Sequence, residues 1–185
     1  MITLTFLLVT GGIVLAPRLI NFIYGQSFSP SILAFQILMV STGITLLYTI
    51  FKDALIVANL QQKFFLAIAA GAVINVVLNL ILIPKFSLYG AAAATTITHS
   101  LIFFILLFFI FRFTGIRPSF KKIFTVLIIS IFSSLIMALA ISRPQIYNLN
   151  VFLSAIIGGI VYFATFFTLK EIVQYLKKTL YVQRY

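Results

Sequence analysis

Apolar runs near the length of a bilayer crossing recur along the whole chain and leave only short connections between them. They cover about 2–24 (interrupted by Pro17 and Arg18), 32–58, 64–83, 90–111, 123–141 and 151–169. The second run passes Lys52 and Asp53 before it ends, and Pro84 is expected to stop the third. A helix needs about 20 apolar residues to cross a hydrocarbon core of about 30 Å. Lipid offers the backbone no hydrogen-bond partner, and none of the runs alternates as a barrel strand would. The expected fold is therefore all-α, a polytopic membrane bundle of about six transmembrane helices. Composition closes off the soluble alternative. The chain is 63% apolar and 8% charged, against roughly a quarter charged in soluble domains, and a soluble fold of 185 residues could not hide that much apolar surface.

The charges set an orientation. Lys52 and Lys63 flank the second connection, Arg112, Arg117, Lys121 and Lys122 the fourth, and Lys170, Lys177, Lys178 and Arg184 follow the last run. Only Arg18, Lys85 and Arg143 belong to the other side, ten basic residues against three. The positive-inside rule places the ten, and with them both termini, in the cytoplasm. Tyr24, Tyr89 and Tyr147 mark outer boundaries as interfacial aromatics do. The net charge of +11 is thus divided by membrane side and suits anionic headgroups, so no nucleic acid partner is expected. In the tail, 170–185, Ile172, Val173, Leu176 and Leu180 share one helical face, with Lys170, Glu171, Lys177 and Lys178 largely elsewhere. It either lies along the inner surface as a basic amphipathic helix or simply prolongs the last span.

Little catalytic chemistry is available. The carboxylates are Asp53 and Glu171, the only histidine is His99, and cysteine is absent. No thiol catalysis, paired-carboxylate acid–base site or polydentate metal site can be assembled from that set, and no cofactor is expected. No glycine loop with a following Lys-Ser/Thr pair exists to cradle ATP phosphates. The chain is not expected to be an enzyme.

The polar residues inside the runs are the candidates for function. Gly71, Asn75 and Asn79 repeat every four residues, so both amides face either protein or a watery cavity. Ala91, Thr95 and His99 form a similar stripe, with Thr98 and Ser100 beside it. With no carboxylate nearby in sequence, His99 suits a neutral ring bonded to a hydroxyl or a carbonyl better than a proton carrier. Lys52 and Asp53 are adjacent, about 100° apart on a helix, and are not expected to pair with each other. They serve either as snorkelling interfacial charges or as a phosphate contact and a cation-coupling carboxylate. Arg18 and Lys85 lie at outer ends beside prolines, placed to meet lipid or an emerging anionic headgroup. Ser154, Gly158 and Gly159 give the last run a small-residue face for close helix packing.

Two segments carry a resemblance. One is 75–95, with Asn75, Asn79, Pro84, Lys85, Phe86, Gly90, Ala91 and Thr95; the other is 16–25, with Ala16, Pro17, Arg18, Asn21, Tyr24 and Gly25. At this separation they resemble the O-antigen (Wzx-type) polysaccharide flippases of the multidrug/oligosaccharidyl-lipid/polysaccharide exporter superfamily. That resemblance implies a lobe of a two-lobed, MATE-like transporter with twelve or fourteen spans. Its cargo would be a polyprenyl-diphosphate-linked oligosaccharide, flipped across the cytoplasmic membrane by alternating access, with no cofactor. This chain would supply the last six spans, and the missing N-terminal lobe or another membrane subunit would be its partner. The bare apolar start after Met1, without a basic region before it, fits a chain cut at its N-terminus. On this view the polar cavity candidates are Asn75, Asn79, Thr95 and His99, the cationic ones Lys52, Arg18 and Lys85, and the coupling-ion candidate Asp53. Two other functions fit the same spans: a cation-coupled multidrug exporter, and a non-transporting helical subunit that supports a partner.

Overall fold

The computed structural model describes residues 1–114, 120–147 and 149–182, with side chains to Tyr175 except those of residues 120–122. Six α-helices follow one another: α1 (Ile2–Tyr24), α2 (Ser31–Val57), α3 (Gln61–Phe113), α4 (Phe120–Ile141), the short α5 (Pro144–Tyr147) and α6 (Val151–Val182). No strand occurs among the described residues. Five of the helices are long and apolar enough to cross a membrane. Their outer faces are apolar and exposed, as at Phe104, Phe108, Phe132 and Ile160, which suits contact with lipid and not with water. This is a membrane-embedded helical bundle.

Helix α3 has 53 residues, and a straight helix of that length would measure about 80 Å, more than twice a hydrocarbon core of about 30 Å. It does not run straight. Ser87 has φ 49° and ψ −124°, outside any helical region. Gly71 lies against Ile102, whose Cδ1 would stand 2.6 Å from a Cβ at that position. Asn75 Nδ2 donates to Thr98 Oγ1 at 3.2 Å. Both pairs sit at nearly equal chain distances on either side of Ser87, so α3 is an antiparallel hairpin with arms 61–86 and 88–113. Gly90 closes the bend: a Cβ there would collide with the backbone of Leu82 and Ile83. The two runs read from sequence as separate helices are these arms. Pro84 does not end the first arm, which continues to Phe86. Proline removes the donor to the carbonyl four residues back and its ring crowds that carbonyl, but the non-helical backbone that reverses the chain is at Ser87.

The other breaks are also explicit. After α1, Gly25 takes φ 84°, open to glycine at no steric cost. After α2, Asn59 adopts φ 57°. Leu60 N–H then donates to Leu55 O at 2.8 Å and Asn59 N–H to Ile56 O at 3.0 Å, the paired bonds of a Schellman cap. Pro17 interrupts the ladder within α1, leaving the Ile13 carbonyl without its usual donor. Gln36 of α2 supplies the substitute, Nε2 to Ile13 O at 3.0 Å.

The helices pack as two groups. Leu55 of α2 meets Ala67, Ile102, Leu106 and Ile110 from both arms of α3. Leu15 of α1 joins Ile129, Met137 and Ile141 of α4 and Tyr162 and Phe166 of α6. Helix α1 also packs along α2 and so joins the groups. Glycine permits that approach, since a Cβ at Gly43 would come within 2.6 Å of Val9. The small face of α6 is used unevenly. Gly158 lies tight against Ile141, whereas Gly159 opens on free space. Helix α6 continues unbroken past Leu169 to Val182. The side chains of Arg117, Lys121, Lys122, Leu176, Lys177, Lys178, Leu180 and Arg184 lie outside the described residues.

Candidate functional site

The polar residues of the α2–α3 group form a layer near mid-span. Asn75 stands twelve residues before Ser87 and Thr98 eleven after it, about 17 Å from the bend along each arm. Asn75 donates to Thr98, and Asn79 Nδ2 donates to Asn75 Oδ1 at 2.9 Å. One residue further round the second arm, His99 faces α2. Its Nδ1 lies 2.7 Å from Ser41 Oγ and 3.0 Å from Thr45 Oγ1, with the Tyr48 ring edge-on at 6.2 Å. A hydroxyl can donate or accept, so either tautomer of a neutral ring is satisfied there. The layer runs Asn79, Asn75, Thr98 across the hairpin, then His99, Ser41, Thr45 into α2.

Not every polar atom is answered. Asn79 Oδ1 is buried without a partner, as is Ser133 Oγ of α4. Asn79 also borders an open, almost wholly apolar groove of about 310 Å³ on the flank of the first arm, with Val76, Leu80, Ile83 and Pro84. It is the only hydrogen-bonding side chain in that lining. Of the two purposes that the spacing of the amide stripe left open, packing is the one these contacts meet: Asn75 and Asn79 bond to each other and to Thr98 across the hairpin.

The remaining candidates do not join this layer. Thr95 returns its hydroxyl to Ala91 O of its own helix at 3.0 Å. Lys85 is exposed near the bend. Lys52 and Asp53, not expected to pair, do so: Lys52 Nζ is 3.3 Å from Asp53 Oδ1. The four-carbon lysine stem swings across the angle that separates the two Cβ atoms. With Asp53 64% exposed, the pair is held by little beyond surface attraction. Arg18 belongs to the other helix group. Its Nη1 donates to Ser154 Oγ at 2.8 Å, its Nη2 donates to Leu149 O, and its guanidinium lies 4.9 Å from the centroid of the Tyr147 ring.

Four participants escaped the sequence reading as partners: Ser41, Thr45, Gln36 and Ser154. Ser41 and Thr45 are spaced by four, a face signal that was present in the second run. Their pairing with His99 depends on how α2 docks, which no local pattern encodes. Compared with known protein families, characterised proteins and solved structures, the chain matches none.

The His99 contact predicts a stability change. Replacing Ser41→Ala and Thr45→Val together leaves Nδ1 unpaired, which should lower unfolding stability in detergent by about 1–3 kcal/mol. Either single change should cost less than half of that, because the other hydroxyl remains. Chemical denaturation of the purified variants followed by circular dichroism gives the comparison. Equal losses in the single and double variants would rule out the shared acceptor.

Proposed function

We propose that the chain is a membrane-embedded lobe of a transporter that flips a polyprenyl-diphosphate-linked oligosaccharide across the cytoplasmic membrane. The observation that carries this reading is the hydrogen-bonded polar layer near mid-span of the α2–α3 group, where Asn75, Asn79, Thr98 and His99 come together with Ser41 and Thr45. A glycan cannot dissolve in hydrocarbon, so its route must present hydrogen-bonding groups at the depth where lipid offers none. Amides suit sugar hydroxyls because they donate and accept at once. The polyprenyl tail needs no such help and stays in lipid beside the opening. The resemblance of 75–95 and 16–25 to the O-antigen flippases supports the same cargo class. In this reading a second lobe faces the first arm of α3, and both termini are cytoplasmic. Asp53, the coupling-ion candidate, is exposed and paired with Lys52 near the end of α2, a position that favours an interfacial charge over a coupling site deep in the span.

Deletion of the encoding gene should trap lipid-linked oligosaccharide at the inner leaflet, and the wild-type gene should restore surface polysaccharide. A copy carrying Asn75→Leu and Asn79→Leu should insert normally yet export at least tenfold more slowly, a barrier increase of about 1.4 kcal/mol. Wild-type export by that variant removes the role given to the layer.

The orientation has a separate check, made easy by the absence of cysteine. Ser27→Cys and Ser142→Cys should react with an impermeant maleimide from outside intact cells. Thr114→Cys should react only after permeabilisation. The reverse pattern would overturn the assigned topology.

A further inference from the structure

Arg18 carries a charge that no carboxylate of the described residues neutralises. It lies six residues before the end of α1, about 9 Å inside the helix terminus. The chain's two carboxylate side chains lie far from it. Asp53 is engaged by Lys52 near the opposite end of α2, and Glu171 stands some 25 Å along α6 from Ser154. Ser154, fully buried, accepts from Arg18 while its own hydroxyl hydrogen is directed at Ile146 O (2.8 Å) or Asn150 O (3.1 Å). These contacts position the guanidinium but add no negative charge. Two of its five N–H groups are occupied by Ser154 and Leu149, and the others remain for a ligand. Arg18, Asn21 and Asn150 line a cavity of about 400 Å³ with Phe22 and Val151.

That polar cavity continues an apolar one. A second volume of about 470 Å³ runs along α1 between the two helix groups, lined among others by Gly11, Leu19, Met39, Ile141, Ala155 and Gly159. On α6, Val151 lines the first cavity and Ala155 and Gly159 the second. Their spacing of four places all three on one ridge. On α1, Leu15 and Leu19 of the apolar volume lead in the same way to Phe22 of the polar one. The two cavities therefore lie end to end, an apolar trough inside the bundle leading to an unneutralised cation near its surface.

We propose that this seam holds one anionic phospholipid of the surrounding bilayer, an acyl chain lying in the trough and the phosphate meeting Arg18, Asn21 and Asn150. Charge complementarity selects the occupant. A helix of a partner protein could fill the trough, but it would leave the cation unanswered unless it brought a carboxylate to the same depth, whereas a phospholipid places an anion at the boundary of an apolar chain by its own construction. The lipid completes the junction between α1 and α6 and does not depend on the transport reading.

Native mass spectrometry of the purified protein tests the assignment, with phosphatidylglycerol and phosphatidylcholine of identical chains offered in the same mild detergent. The wild type should retain one phosphatidylglycerol in at least tenfold preference. Arg18→Gln should abolish that preference. Because Arg18 also ties α1 to α6, a second variant separates binding from folding: Gly159→Leu fills open space in the trough without touching the guanidinium and should reduce retention tenfold. Arg143→Gln, an exposed cation in the connection between α4 and α5, should bind as wild type does. Equal retention of the two lipids, or undiminished phosphatidylglycerol binding by Gly159→Leu, overturns the site. Preference for a polyprenyl phosphate over phosphatidylglycerol overturns the bilayer lipid as occupant.

Discussion

Hydrocarbon can neither donate nor accept a hydrogen bond, so polar groups placed between the ends of a spanning helix are for the most part answered from within the chain. That demand explains which helices touch. The carbonyl released by Pro17 is met by Gln36, which fixes the register of α2 against α1. The amide of Asn75 is met by Thr98, which holds the arms of α3 together. His99 is met by Ser41 and Thr45, which dock α2 on the second arm. Arg18 is met by Ser154 and Leu149, which bind α1 to the start of α6. Apolar packing fills the space between these ties but does not choose among rotations of one helix against another, because leucine and lipid tails are nearly equivalent surroundings.

The same demand separates structure from function. A polar group with its partner in hand is part of the scaffold, and Asn75, Thr95 and Arg18's contact with Ser154 belong there. Two polar features left without one are assigned to something the chain does not itself contain. These are Asn79 Oδ1 and the uncompensated charge of Arg18, and they lie in different helix groups. The first is assigned to glycan passage and the second to a resident lipid.

The sequence made the class and the helix count legible, because runs of about 20 apolar residues in a chain with two carboxylate side chains leave few alternatives. It also singled out Asn75, Asn79 and His99 as residues that require partners. Identity of the partners was a different matter. Ser41 and Thr45 lie more than fifty residues from His99, and Ser154 lies 136 residues from Arg18, so helix docking and not local spacing selects them. Two local readings also failed on physical grounds. Pro84 removes one donor without reversing the chain, and the lysine stem lets Lys52 reach a neighbour that its backbone direction points away from. The cavities were illegible for the same reason as the partners, since each is bounded by residues from separate parts of the chain.

The account rests on α3 being a hairpin that brings its two arms together at the level of the polar layer. The most direct measurement is disulfide formation in membranes between Gly71→Cys and Ile102→Cys in the otherwise cysteine-free chain. The hairpin predicts rapid intramolecular cross-linking under mild oxidant, because a Cβ at position 71 would stand 2.7 Å from Ile102 Cγ1, within reach of the Cβ separation of about 3.5–4.5 Å that a disulfide requires. A straight α3 would hold these positions about 46 Å apart. Both thiols remaining free to alkylate in the inserted protein would contradict the hairpin and the polar layer built on it.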